Sequence, residues 1–417
     1  MATGGSGRPL PTVTRLRDIA VPAYGPTLLV SIGQGAILPL VALSARDLGA
    51  GVGLAAFFVA LIGLSQLVGD LPAGALAARI GEQRALVGAC LLDAVALLGA
   101  FLAPNLILLA LAIVAFGLSG SVFSLARLSY LTEAIPIGLR ARGMATLGGT
   151  FRVGLFIGPL VGAALVSRWG ISAAYAFAAA VSLVAAIVCA FLPDVTRAQR
   201  LEHAAADRPH SSVFAVLAEH RRVLLTLGTG VLLISAARST RQSIVPLWAD
   251  SQGIDAATVS LIYGISAGVD MLLFYPGGAI MDRFGRVYVA VPAMIVLGLG
   301  FLLLPLTDAP VEVTAVAALM GLGNGISAGV VMTLGADAAP VADRAQFIGG
   351  WRLCNDLGGA GGPLVVSVVS SLASLAAAAV TMGVLTWAGS ALLVKWVPAY
   401  ASDRRAAAPR PSSRRAL

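Results

Sequence analysis

Apolar residues along this chain gather into long uninterrupted runs, parted by short stretches rich in Gly, Pro and Arg. Twelve runs can be drawn, at about 20–43, 53–76, 85–104, 106–130, 143–167, 171–193, 223–247, 257–280, 287–306, 312–335, 346–370 and 373–397. Each is roughly 18–25 residues long, the length of helix that crosses a hydrocarbon core of about 30 Å. Short connections between most of them force neighbouring helices to run antiparallel. The pattern predicts an all-α integral membrane protein of twelve transmembrane helices. The domains expected are a tail over 1–19, a six-helix bundle over 20–193, a polar linker over 194–222, a second bundle over 223–397 and a tail over 398–417. The first run follows Arg8, Arg15 and Arg17, carries Pro22, Gly25 and Pro26, and shows no small-residue cleavage site, so an uncleaved first helix is expected. The linker holds His203, His210 and His220, read as solvated.

Composition agrees. Of 417 residues 58% are hydrophobic and 12% charged, against about 25% charged in a soluble domain, and the mean hydropathy is +0.91. Three cysteines (Cys90, Cys189 and Cys354), all within apolar runs, and three histidines cannot build a disulfide framework or a multi-metal site, so no metal and no cofactor are expected. The net charge of +8 comes from dispersed arginines and the single Lys395, which is not a nucleic-acid footprint. With the N-terminus in the cytoplasm, only Arg46 and Arg168 fall outside. The positive-inside rule therefore predicts both termini on the cytoplasmic side of the inner membrane.

A shift of about 204 residues lays one half of the chain on the other. Pro72, Gly74, Arg79 and Gly81 meet Pro276, Gly278, Arg283 and Gly285; Glu133, Pro136 and Arg140 meet Asp337, Pro340 and Arg344; Gly154, Gly158 and Pro159 meet Gly358, Gly362 and Pro363. Two six-helix bundles related by a parallel internal repeat are the expected architecture.

On these residues the chain resembles the major facilitator superfamily. The loop Gly278-Ala-Ile-Met-Asp282-Arg283-Phe-Gly285-Arg286 is similar to that superfamily's cytoplasmic loop motif; its counterpart, Gly74 to Arg84, departs at Ala78, with Asp70 two turns earlier as a substitute acid. The stretch Gly154-Leu-Phe-Ile-Gly158-Pro159-Leu-Val-Gly162 resembles the motif of the drug–proton antiporter group. The resemblance implies alternating access, with helices 1, 4, 7 and 10 lining a central cavity. From the residues themselves, glycine in the loop motif suits a tight turn, Asp282 and Arg283 suit a conformational latch or a topology signal, and the paired glycines of helices 5 and 11 suit close helix packing.

Charges inside the spans each cost about 2.5 kcal/mol or more to insert and are functional candidates. Arg152, Asp93, Asp270 and Asp356 are the proton-coupling candidates; Arg352 and Asp356, four residues apart, can pair, and Arg127 is a further cation within a span, in helix 4. Arg238, Arg241 and Gln242 lie on adjoining turns of helix 7, and two cations three residues apart invite Asp270, a substrate carboxylate or phosphate, or a gate partner. Gln34, Ser119, Asn324 and Tyr263 complete the substrate-binding candidates. Drug–proton antiporters often carry an arginine deep in helix 4; Phe116 to Ser121 has none here.

No GxxxxGK[ST] loop is present, which excludes an ATP-driven pump within this chain. No nucleophile–base constellation marks an enzyme. The reading is a secondary transporter, expected as a monomer amid lipid, moving a small molecule with protons as coupling ion; export by antiport is favoured, with uptake of a small anionic solute or a non-transporting sensor as alternatives.

Overall fold

A computed structural model describes residues 20–135, 139–192, 217–340 and 344–407. The N-terminal arginines, His203, His210, Pro136 and the last ten residues lie outside them. All regular elements in the described residues are helical. We number the twelve long helices α1 (Ala20–Ile37, running on through Leu38–Leu40 to Val41–Asp47), α2 (Val52–Ile80), α3 (Glu82–Phe101), α4 (Leu106–Ala134), α5 (Arg140–Trp169), α6 (Ile171–Ala190), α7 (Arg221–Val223, a π turn at Leu224–Gly228, then Thr229–Ser251), α8 (Ala256–Phe284), α9 (Val287–Leu303), α10 (Pro310–Ile326, resuming at Val330–Ala338), α11 (Arg344–Leu372) and α12 (Leu375–Ala407).

Eleven of these are long and apolar enough to cross a membrane. The exception is α11, whose Arg344, Arg352, Asn355, Asp356 and glycines dilute its apolar content. Its polar positions are accommodated by packing against α2, α7 and α12. Several helices outrun the apolar runs that announce them. Thus α12 continues through Pro398, into the stretch read from sequence as a tail, because helical geometry does not require apolar side chains beyond the hydrocarbon core.

The 204-residue offset governs the elements themselves. It carries the ends of α2 onto those of α8, those of α4 onto the outer bounds of α10, and the starts of α5 and α6 onto those of α11 and α12. It also relates two pairs of turns. Gly49 (φ 88°) corresponds to Gly253 (φ 74°), and Gly81 (φ 98°) to Gly285 (φ 101°). These turns need left-handed backbone that only glycine adopts without strain.

Packing follows the same two-fold relation. In the first bundle α1 packs on α5 and α6, α4 on α2 and α3, and α3 on α6; in the second, α7 packs on α11 and α12, α10 on α8 and α9, and α9 on α12. Two seams join the bundles, α2 against α11 and α5 against α8, each the image of the other. The seams are tight toward the face bearing the Gly49 and Gly253 turns, called the distal face here. A Cβ on Gly63 would lie 2.9 Å from the Ala360 Cα, and one on Gly268 2.8 Å from the Phe156 ring. Toward the opposite, terminal face, where α1 begins and α12 ends, Gly74 and Gly278 face open space.

The apolar core divides accordingly. One cluster at the distal end draws on both bundles, including Ile37, Leu40, Phe58, Ile244, Leu247 and Phe301. Toward the terminal face the buried residues form two separate cores, one per bundle, around Phe123 and Tyr130 and around Phe347 and Trp351.

Candidate functional site

Where the shared core gives way to the divided ones, side chains from α5, α7 and α10 converge on Asp270, at the midpoint of α8. Arg152 of α5, in the other bundle, donates to one carboxylate oxygen. Asn324 of α10 donates its side-chain amide to the second oxygen, and Arg241 Nη2 of α7 lies 3.6 Å from it. Arg241 is 6% exposed; its Nη1 donates to Ser266 Oγ at 2.9 Å, and its guanidinium lies 5.8 Å from the Tyr263 ring centre. Arg152 lies 4.8 Å from the Phe274 ring centre.

Arg238, one turn from Arg241, donates to the backbone oxygen and the hydroxyl of Ser327. The helical run of α10 stops at Ile326 and resumes at Val330, so the Ser327 carbonyl is available to a side chain. Irregular backbone at membrane depth is tolerated where protein groups satisfy it. The equivalent part of α4 is unbroken helix.

Five of the residues singled out from sequence (Arg152, Arg241, Asp270, Asn324 and Tyr263) therefore meet in one cluster, with Arg238 beside it. Ser266, Ser327 and Phe274 belong to it without having been foreseen. Gln242, next to Arg241, is half-buried and outside its hydrogen bonds. Among the described residues, three buried polar atoms here lack a hydrogen-bond partner: Arg238 Nε, Arg241 Nε and Asn324 Oδ1.

The other seam carries a second ionic group. Arg352 of α11 lies 3.1 Å from Asp70 of α2 and 3.5 Å from Asp356, four residues on along its own helix. Asn355 donates to Asp356 at 3.0 Å and accepts from Ser235 of α7. Asp356 thus belongs to this seam and is not a companion of Asp270. At the distal face Arg46 meets Asp250 at 3.1 Å. These two residues are 204 apart, repeat-equivalent positions of opposite charge.

Counting residues from the helix ends puts Asp93 and Arg152 at similar depth, but they do not meet. Asp93, 5% exposed, is held within the first bundle by Ser119 at 2.7 Å and Ser182 at 2.6 Å. Ser119, expected at the substrate, is thereby committed to Asp93. Gln34 lines a small cavity beside them with Val30, Cys90 and Phe123. Arg127 lies 5.4 and 5.9 Å from the ring centres of Phe123 and Phe151.

The loop motifs sit differently from expectation. The turn requirement falls on Gly81 and Gly285; Gly74 and Gly278 are helical and would accept a Cβ. Asp282, Arg283 and Arg79 are exposed, and Arg283 lies 5.3 Å from the Phe284 ring centre. The ion pair at this corner joins Arg286 to Asp337 at the end of α10, 2.7 Å apart. In α5 and α11 the paired glycines are packing positions. A Cβ would come within 2.4 Å of the Ile32 carbonyl oxygen at Gly158, 2.1 Å of that of Leu232 at Gly358 and 2.2 Å of that of Ala236 at Gly362; at Gly154 it would overlap Ser31. Both helices run on through Pro159 and Pro363. Among the described residues no group of His, Cys, Asp and Glu could hold a metal ion.

Two six-helix bundles joined by ionic seams are the architecture of a membrane transport protein. The chain belongs to the Major Facilitator Superfamily, whose family model matches residues 27–363 and again 227–417. No curated protein matches it. Among solved structures it is similar to a POT family transporter in complex with a thioalcohol-conjugated peptide (TM-score 0.74, 12% identity, 92% of this chain and 96% of that one). It is also similar to a POT family transporter in complex with 5-aminolevulinic acid (0.72, 12%, 92% and 96%), and to a POT peptide transporter in complex with sulfate (0.71, 14%, 91% and 94%). At such identity the likeness is one of fold.

Proposed function

We propose that the protein is a secondary active transporter that carries a small organic molecule across the cytoplasmic membrane by alternating access. The observation that carries this reading is the union of the two bundles in one core at the distal end, with separate cores toward the terminal face. The Asp270 cluster lies at the junction, with Arg152 contributed from across the seam. A site at that level is exposed to one side or the other as the bundles rock, so opening one face and closing the other moves the solute without moving the site. The arginine distribution supports placing the terminal face in the cytoplasm.

The coupling ion in this reading is the proton. Asp93, buried with no cation paired to it among the described residues, and Asp270 are the carboxyls that can carry it. Export by antiport is the favoured direction, resting on the antiporter-like stretch of α5. Reconstituted vesicles loaded from a panel of small organic molecules test the whole reading: counterflow should occur, and an imposed pH gradient should drive accumulation that Asp93→Asn or Asp270→Asn abolishes while counterflow persists. Gradient-driven uptake into right-side-out vesicles would reverse the direction, and absence of counterflow across the panel would remove the transport function.

A further inference from the structure

We infer that the Arg238–Arg241 pair is an anion-binding site that Asp270 occupies as an internal ligand, so that the transported solute is a small organic anion that takes the place of the Asp270 carboxylate. This rests on the transport reading above and adds the charge class of the solute. The cluster gathers three guanidinium groups, Arg152 and Arg241 on the Asp270 carboxylate and Arg238 beside them on Ser327, a surplus of two positive charges midway along the membrane-spanning helices. Excess charge there is costly unless a counter-charge arrives. Among the described residues Arg238 donates to the neutral oxygens of Ser327 alone, and Arg241 holds Asp270 at 3.6 Å, beyond hydrogen-bond length. Both arginines keep a buried, unpartnered Nε, and the adjacent Asn324 an unpartnered Oδ1. Donors left over on two arginines one turn apart match the oxygens of a carboxylate or phosphate. The carboxylate they already attract belongs to a residue that also holds Arg152 of the other bundle. An incoming anion on Arg241 competes with Asp270, which is how binding reaches the α5–α8 seam.

The internal-ligand arrangement makes the two charge-removing substitutions act in opposite directions. Full-length protein in nanodiscs is titrated with sodium succinate and with inorganic phosphate at constant ionic strength, reading the melting temperature, with tetraphenylphosphonium as the cationic probe. Succinate or phosphate should stabilise the unaltered protein. Arg241→Gln and Arg238→Gln should each weaken this by about ten- to a hundredfold, the loss of one charge-assisted hydrogen bond. Asp270→Asn, which removes the internal competitor's charge while keeping the shape of the carboxylate, should strengthen it by about tenfold; Arg46→Gln at the distal face should leave it unchanged. The inference is overturned if neither anion stabilises the protein, if stabilisation survives loss of Arg238 and Arg241, or if Asp270→Asn weakens it. Stabilisation by tetraphenylphosphonium that Asp270→Asn abolishes would make the solute a cation: the charge class falls and the transport reading stands. Loss of counterflow for every solute, with anion binding intact, would do the reverse.

Discussion

Four carboxylates within the membrane-spanning helices are handled in three ways. Asp270 is shared among arginines and an asparagine, Asp70 and Asp356 flank one arginine, and Asp93 has two serine hydroxyls and, among the described residues, no paired cation. Each hydrogen bond to a buried charged group contributes about 1.5–3 kcal/mol. Ser182→Ala should therefore lower the melting temperature, and Ser119→Ala should do the same; an unchanged melting temperature in both would mean that the Asp93 carboxyl is held by something else. Around Arg352 the expected asymmetry is larger. Arg352→Gln leaves Asp70 and Asp356 facing one another uncompensated and should destabilise more than Asp70→Asn, a ranking that parallel thermal melts check. Residue identities were legible in the sequence because charge in an apolar run stands out. Partnership was not. Depth along a helix places Arg152 level with Asp93, but which way a side chain faces around the helix depends on packing, and it faces the other bundle. The Arg46–Asp250 pair was within reach of sequence, since the repeat offset relates opposite charges at the ends of α1 and α7.

At the scale of elements, glycine separates into three uses. Gly81 and Gly285 close turns in left-handed backbone; Gly158, Gly358 and Gly362 let helices touch backbone to backbone; Gly74 and Gly278 occupy seam helices where those helices part. Adding a methyl distinguishes the last two. Gly158→Ala should destabilise by about 1–3 kcal/mol through overpacking against α1. Gly278→Ala should leave the melting temperature unchanged and slow counterflow, because its Cβ meets a neighbour only when the terminal ends close. Equal thermal loss in both would mean that the seam does not part as described. The offset and most element bounds were readable from Gly, Pro and Arg spacing. The π turn in α7 was not, since it carries no proline or distinctive local motif; the break in α10 at 327–329 was marked only by the glycines at 321, 323, 325 and 329, which the apolar run around them concealed. The break matters because it supplies the Ser327 carbonyl to Arg238.

For the whole molecule, two bundles, two seams and a core continuous at one end describe a body that can rock about its middle. The distal Arg46–Asp250 pair, about one-third exposed on each side, is worth only about 0–1 kcal/mol and so marks the closed end more than it holds it. The ties nearer the centre are the Arg152–Asp270 and Arg352–Asp70 pairs, one in each seam. Alternating exposure of the Asp270 cluster is the central claim. It is tested most directly by electron–electron distance measurements on two spin-label pairs in nanodiscs, after replacement of Cys90, Cys189 and Cys354: Arg46→Cys with Asp250→Cys at the distal face, and Arg79→Cys with Arg283→Cys at the terminal face. The account predicts two distances for each pair, with populations that shift in opposite senses when Asp270→Asn releases Arg152, the distal pair lengthening as the terminal pair shortens. A single distance at both faces that the substitution leaves unmoved, or a lengthening at both together, would contradict it.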